Sequence, residues 1–211
     1  MIPISMRGFA EVSAAPTKSK LSRLKKYKYP DSDESKGRSN YYVKALAAIR
    51  HHHHSNKSEL QDILDDLVIA ASDKSNKRRQ SKALNNLRAI NDYLKHFSYR
   101  HLKPLRGKRL YFFHKQLKVS AQPDLYAEES GKLRLIKFNF GRKDHGGAVV
   151  AIMLHVLYEA AIINGLKLPP NQVECIQTSS GSNISGPKGG FGPAKNLTVM
   201  ADELIALWPS V

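Results

Sequence analysis

The segment QPDLYAEESGKLRLIKFNF, residues 122–140, contains two strand-like runs joined by a Ser-Gly dipeptide. A two-residue loop that contains glycine, placed between two such runs, is typical of a tight β-hairpin. If Glu129 pairs with Lys132 beside the turn, the antiparallel register places Asp124 directly opposite Lys137. Opposed side chains share a face of the sheet with their Cβ atoms about 5 Å apart, so this pair could act together on one phosphate or one metal ion.

The residues on either side of the hairpin predict a mixed α/β core. Before the hairpin, alternating apolar residues predict two strands. After the hairpin, an apolar run predicts a helix, a short β-branched run predicts a strand, and a final amphipathic run predicts a second helix. We predict strands at 108–114, 117–121 and 172–178 and helices at 148–164 and 195–207. The expected fold class is therefore α/β (α+β), with a small mixed sheet flanked by helices.

The first half of the chain has a different pattern. Residues 1–39 are rich in Ser, Pro and Lys without apolar periodicity, which predicts a basic disordered tail. Residues 40–103 show helical periodicity in three segments, which predicts an N-terminal helical annex. We expect the third helix, at 80–98, to pack on the core formed by residues 104–211.

The chain is strongly basic. It has 211 residues, with 34 Lys and Arg against 18 Asp and Glu, for a formal net charge of +16. Such a field favours nucleic acid, with DNA as the first expectation, or another anionic partner. The cations we expect to contact phosphates are Lys77, Arg78, Arg79, Arg142, Lys143 and Lys188. The alternative for each is a solvated surface charge.

Composition also indicates the compartment. Cys175 is the only cysteine, so an internal disulfide cannot form and a reducing, cytoplasmic location is expected. No apolar run is long enough for a confident membrane span, so we expect no membrane partner. The thiol lies in a strand-like run, which favours a buried side chain over a nucleophile.

From about residue 82 to residue 177, the order of elements resembles the restriction-endonuclease-like superfamily of PD-(D/E)XK phosphodiesterases. Pro123-Asp124 and Lys137 match the motif of that superfamily. The resemblance implies that Asp124 binds Mg²⁺ or Mn²⁺ and that Lys137 orients the attacking water. The second motif carboxylate is replaced by Leu135.

Two further residues enter through the same resemblance. Some members supply the missing carboxylate from the following helix, where Glu159 is the candidate for a second metal ligand. Some also carry an assisting glutamine on the next strand, where Gln177 stands. The alternatives are a surface or paired carboxylate for Glu159 and an ordinary strand-end residue for Gln177.

Two functions follow from these residues. The first is a metal-dependent nucleic-acid phosphodiesterase, similar to a DNA endonuclease, that could act with other proteins in a defence, repair or mobile-element assembly. The second is a catalytically inactive nuclease-like domain that binds nucleic acid or helps to assemble a complex. A leucine-walled face at Leu135 would favour the second. The Asp-Lys pair could also be a simple cross-strand ion pair.

Other motifs are weaker. Four consecutive histidines, His51 to His54, cannot converge on one ion from a helix, because neighbours are about 100° apart. His155 on an apolar helix is expected to be a hydrogen-bonded core residue rather than a catalyst. The glycine-rich segment 179–193 is expected to be a mobile surface loop, or alternatively a contact to phosphate.

Overall fold

A computed structural model describes residues 1–29, 41–192 and 195–211. These residues form a mixed α/β fold, as predicted. The helices are α1 Met6–Ser13, α2 Thr17–Lys28, α3 Val43–His53, α4 Lys57–Ser72, α5 Lys77–Phe97, α6 Gly147–Ile163 and α7 Lys195–Leu207. The strands are β1 Ile2–Ser5, β2 Lys103–Leu105, β3 Tyr111–His114, β4 Leu117–Ser120, β5 Leu125–Glu129, β6 Lys132–Asn139, β7 Val173–Gln177 and β8 Ser182–Ser185.

The predicted hairpin is formed by β5 and β6, with the predicted register. Glu129 pairs with Lys132, and Leu125 pairs with Ile136 at the other end. The turn residues Ser130 and Gly131 have φ angles of +52° and +73°. Two positive φ angles produce a turn whose twist matches that of the paired strands, and the glycine adopts this conformation without steric cost.

The hairpin is the centre of a five-stranded sheet with the strand order β2-β5-β6-β7-β8. The β6 and β7 strands are parallel, and the other neighbours are antiparallel. The parallel connection requires a crossover, which α6 provides. This helix ends as predicted before Gly165, which has a φ of +79°. The amide of Leu166 then donates to the carbonyl of Ala161 at 2.9 Å, which closes the helix end.

The first 29 residues do not form a disordered tail, so that prediction is wrong for them. Strand β1 pairs in parallel with β4, which lies between β1 and β3 in a second, three-stranded sheet. Ile2, Ile4 and Phe9 are buried in the core, and Leu24 anchors α2. The rest of the predicted tail, from residue 30 onward, lies outside the described residues.

Apolar residues cover both faces of the five-stranded sheet. Leu135 and Val173 face a core that also includes α1, α6, α7 and the small sheet. Ile136 and Phe138 face the opposite core, which includes α3, α4 and α5. The α5 residue Tyr93 meets Phe138 edge to face, with ring centroids 5.5 Å apart. The helical annex therefore shares its core with the sheet.

Besides β1, two short strands were not predicted. Strand β2 begins at Lys103, the last residue of the predicted helical annex, and pairs with β5. The chain therefore enters the sheet one residue earlier than expected. Strand β8 lies inside the glycine-rich segment and pairs with β7. That part of the segment is thus a sheet edge rather than a loop. None of the helices in the described residues is both long and apolar enough to span a bilayer.

Candidate nucleic-acid interface

Asp124 and Lys137 form an ion pair across the hairpin. The Lys137 Nζ lies 2.7 Å from Asp124 Oδ1, and the backbone N–H of Phe138 donates to Oδ2 at 2.8 Å. The Lys137 ammonium also donates to the carbonyl of Gln122 at 3.3 Å. Both Asp124 oxygens therefore accept hydrogen bonds from the hairpin itself, and the side chain is held in one orientation.

The position of the second motif carboxylate is apolar. Leu135 is fully buried and packs in the core beneath α6. Residues two apart on a strand share a face, so the wall beside Lys137 is hydrocarbon. Cys175 lies beside Lys137 on β7 and is also fully buried, as predicted. Burial, and secondarily the negative charge of Asp124, raises the pKa of the Cys175 thiol to about 12.

The structure does not bring the Glu159 carboxylate to Asp124. It stands 12 residues after the start of α6, which corresponds to roughly 18 Å along the helix axis. Its Oε1 lies 3.5 Å from His155 Nε2 on the same helix. His155 is buried, as predicted, and stacks on Phe191 with ring centroids 4.8 Å apart. The predicted hydrogen bond is not formed at its buried Nε2, where Glu159 is too distant for good geometry.

These residues do not form a fitting magnesium site. Magnesium prefers octahedral oxygen ligands, usually including one or two carboxylates that are free to coordinate. Here the one nearby motif carboxylate, Asp124, already accepts two hydrogen bonds, and a leucine replaces the second. Within residues 1–29, 41–192 and 195–211, no three His, Cys, Asp or Glu side chains are grouped to hold a metal ion.

Gln177 positions a loop. Its side chain is fully buried, where Oε1 accepts from Asn139 Nδ2 at 2.7 Å and from the N–H of His145 at 3.2 Å. Its Nε2 donates to the His145 carbonyl at 3.1 Å. These contacts use the amide to fix the chain between β6 and α6. Gln177 therefore acts on the site through the loop that it holds.

That loop presents cations beside an open helix end. Asn139 Nδ2 also donates to the carbonyl of Lys143 at 2.9 Å, while Arg142 and Lys143 themselves are exposed. The α6 helix then begins at Gly146-Gly147 without a side-chain cap. A Cβ atom at either glycine would meet no other atom within 4 Å. The first amides of α6 are thus accessible to an anion.

Cations from two other helices join this end of the hairpin. Arg50 of α3 donates through Nη2 to the carbonyl of Asp124 at 2.8 Å. Burial lowers the pKa of the His145 imidazole, and the positive charges of Arg7 on α1 and of Lys137 lower it further. Arg7 is itself paired with Glu11, at 2.6 Å between Nε and Oε1, and the Glu11 charge acts on His145 in the opposite direction. We refer to Arg7, Arg50, Lys137, Arg142 and Lys143 as the hairpin-end cluster.

Four other predicted phosphate contacts lie elsewhere. Lys77, Arg78 and Arg79 form the first turn of α5. They lie roughly 15 Å along that helix from Arg88, whose Nη2 donates to the carbonyl of Phe140. Lys188 is exposed and lies near the turn of the hairpin, beside β8. The structure therefore places Arg142 and Lys143 in the loop that follows the strand of Lys137, and puts the other four elsewhere.

The histidine run has separate contacts. His51 Nδ1 lies 2.7 Å from Glu59 Oε2, while His53 Nε2 lies 2.7 Å from the hydroxyl of Tyr93. The rings of His52 and His53 meet edge to face with centroids 4.9 Å apart. Each of these three side chains thus has a contact of its own.

Four residues of this region, Arg7, Arg50, Asn139 and His145, were not predicted from the sequence. Arg7 falls in the segment that was predicted to be disordered, and Arg50 reaches the site only because α3 packs against the sheet. The sequence holds one signal for Asn139 and His145. These two polar residues lie close to the point where an apolar strand ends abruptly.

No protein-family model matches the chain, and no curated protein or solved structure matches it. The relation to PD-(D/E)XK enzymes therefore stays a prediction from the motif.

Proposed function

We propose that the protein binds the phosphodiester backbone of nucleic acid at the hairpin-end cluster and does not hydrolyse it. One observation carries this proposal. Arg142 and Lys143 lie in the loop just before the uncapped N-terminus of α6, and Lys137 and Arg50 both contact Asp124 at the same end of the hairpin. Cations and free helix amides are the two groups that bind phosphates most often.

The donors of the cluster have spare capacity. The Lys137 ammonium has three protons and uses two of them on Asp124 and Gln122. Arg50 has five N–H donors, of which one reaches a carbonyl. Arg142 and Lys143 have no ion pair with any described residue. A polyanion can therefore bind these groups without breaking the hairpin.

The same geometry argues against hydrolysis. Metal-assisted phosphodiester cleavage needs carboxylates that hold the ion and activate a water. Asp124 is committed to the hairpin, Leu135 is buried, and Glu159 belongs to the far part of α6. The fold can keep a nuclease-like arrangement without its chemistry, since function depends on the site rather than on the fold.

Binding through phosphates has a predictable signature. Phosphate contacts fix position without reading bases, so little sequence preference is expected. Each contact releases about one counterion, so affinity should fall steeply between about 50 and 200 mM salt. Duplex DNA is the first ligand to test, with single-stranded DNA and RNA beside it.

The test compares two double variants that remove the same charge. Arg142→Gln with Lys143→Gln should weaken duplex binding at least tenfold and reduce the salt slope by about two. Lys25→Gln with Lys26→Gln on the exposed side of α2 is the matched control and should change affinity less than threefold. Equal losses in both would place the contact elsewhere and overturn the assignment of the site.

A cleavage assay completes the test. Wild type is incubated with linear, circular and single-stranded substrates in Mg²⁺ or Mn²⁺, and the products are separated on gels. We expect intact substrate at protein concentrations that saturate binding. Cleavage that is lost in Asp124→Asn would overturn the non-hydrolytic part of the proposal and support the phosphodiesterase prediction.

A further inference from the structure

A second polar site lies at the turn end of the hairpin, on the opposite face of the sheet from Lys137. Arg100 donates to both oxygens of Glu129 at 2.7 and 2.8 Å and to both oxygens of Glu174 at 2.8 and 3.1 Å. The Arg100 and Glu174 side chains are only 7% and 2% exposed. Hydrogen bonds from Arg100 are the main cause that lowers the pKa of the Glu129 carboxyl.

This network forms one wall of a cleft of about 330 Å³, which we call the Arg100 cleft. The volume falls at the lower end of the range of small-molecule sites. The other residues that line it are Tyr99, Arg134, Asn171, Asn183, Ser185 and Lys188.

The acceptors of the cleft are already occupied. Both Glu129 oxygens accept from Arg100, and Arg134 Nε lies 3.2 Å from one of them. Both Glu174 oxygens accept from Arg100, and one accepts also from Asn183 Nδ2 at 2.8 Å. The two carboxylates thus have little capacity for a further donor, and a cationic ligand would find no free partner in them.

The donors of the cleft are not fully used. Arg134 donates through Nη1 to the carbonyl of Asn171 at 3.1 Å, but its buried Nε makes no hydrogen bond of good geometry. Its Nη2, the Lys188 ammonium and the Ser185 hydroxyl donate to no described residue. The free capacity is therefore for a ligand that brings acceptor oxygens.

Charge and surface favour the same kind of ligand. Three cations, Arg100, Arg134 and Lys188, line the cleft against two carboxylates, so a net positive charge is left. Tyr99 is 72% exposed at the cleft, which is unusual for a large aromatic side chain. An exposed aromatic ring is the usual platform on which a nucleobase stacks.

We propose that the Arg100 cleft binds a phosphorylated nucleotide, with the phosphate on Arg134 and Lys188 and the base on Tyr99. The nucleotide can be free or can be the phosphorylated end of a strand, because both present the same group. The site is distinct from the hairpin-end cluster, since five residues of strand, roughly 17 Å, separate Glu129 from Asp124.

The test uses three probes in equilibrium binding to the full chain. These are a single-stranded oligonucleotide with a terminal phosphate, the same strand with a terminal hydroxyl, and adenosine monophosphate. We expect the terminal phosphate to strengthen oligonucleotide binding at least fivefold. Adenosine monophosphate that binds as tightly as the phosphorylated strand would identify a free nucleotide as the ligand, and much weaker binding of adenosine monophosphate than of the phosphorylated strand would identify a strand end.

Variants assign the effect to the cleft. Lys188→Gln and Tyr99→Ala should each remove most of the phosphate-dependent difference. Lys167→Gln and Phe113→Ala, which change exposed residues outside the cleft, should preserve it. The stronger binding of the phosphorylated strand should also persist in the Arg142→Gln and Lys143→Gln double variant. A failure of the proposal for the Arg100 cleft can therefore be distinguished from a failure of the proposal for the hairpin-end cluster. Equal binding of phosphate and hydroxyl strands would overturn the proposal, as would an unchanged difference in Lys188→Gln.

Discussion

At the scale of single residues, two ion pairs of nearly equal length differ in their surroundings. Lys137 lies 2.7 Å from Asp124, with both side chains less than a quarter exposed. Lys44 lies 2.8 Å from Asp66, with side chains 44% and 66% exposed. Distance alone therefore does not rank them, because an exposed pair competes with water and salt.

We expect Asp124→Ala to lower the free energy of unfolding by about 1.5 to 3 kcal/mol, since it leaves the half-buried Lys137 and the Phe138 amide without their charged acceptor. Asp66→Ala is the matched control and should leave the free energy of unfolding nearly unchanged, because its carboxyl is exposed. Urea denaturation monitored by circular dichroism measures both. Equal losses would mean that Asp124 contributes no more than a surface charge.

At the scale of elements, α3 is joined to α5 by a polar contact inside an apolar interface. His53 contacts the hydroxyl of the fully buried Tyr93. Burial, together with the charges of His52 and Arg100, lowers the pKa of His53 to about 4. The imidazole is therefore neutral in the folded protein at pH 7.

This contact makes stability depend on pH. Between pH 6.5 and about 4 the unfolded chain binds a proton at His53 that the folded chain excludes, so stability falls as the pH is lowered. We expect His53→Gln to reduce that fall by about 1 to 2 kcal/mol, after allowing for partial exposure. Urea denaturation at pH 7 and pH 4.5 tests this, and parallel curves for the two proteins would contradict it.

The elements that were predicted correctly are those whose formation depends on residues close together in the sequence. The hairpin register followed from a turn that needs positive φ and from the flanking pattern. Helix α2 was missed because six of its 12 residues are Lys or Arg, so its single buried residue, Leu24, leaves no visible periodicity. Part of its docking comes from Lys20, which reaches Glu203, and from Lys28, which reaches the carbonyl of Val211. Contacts this distant in sequence leave no local pattern.

The same limit applies to the sites. The opposition of Asp124 and Lys137 was predictable, because it needs only a register. The roles of Gln177, which holds the loop, and Arg100, which joins β5 to β7, depend on the order of strands in the sheet. Glu159 was a poor choice for a physical reason, since a helix advances 1.5 Å per residue and carries this residue away from the start of α6.

At the scale of the whole molecule, the five-stranded sheet separates two hydrophobic cores. Strand β1 and helix α1 contribute to the core that also contains α6 and α7. Ile4 on β1 is 6% exposed, whereas Ile184 on β8 is 37% exposed at the edge of the larger sheet. The same substitution at these two positions therefore tests whether the small sheet contributes to global stability.

We expect Ile4→Ala to cost about 2 to 4 kcal/mol, because it removes buried methyl groups and leaves a cavity. Ile184→Ala should cost less than about 1 kcal/mol. Urea denaturation followed by tryptophan fluorescence and by circular dichroism should give one coincident transition. Similar losses for the two variants, or an Ile4→Ala loss below about 1 kcal/mol, would mean that β1 is only loosely attached.

The docking of α2 also sets an order of events during translation. Lys20 is 183 positions before its partner Glu203. At the usual rate of about 5 to 20 residues per second, a ribosome needs roughly 10 to 40 s to make the chain between them. The contact between Lys20 and Glu203 can therefore form only after that time, whereas the hydrogen bond from the Tyr27 hydroxyl of α2 to Glu11 of α1 needs only the first part of the chain. The small sheet, which needs only residues up to Ser120, can likewise assemble before Lys20 meets Glu203.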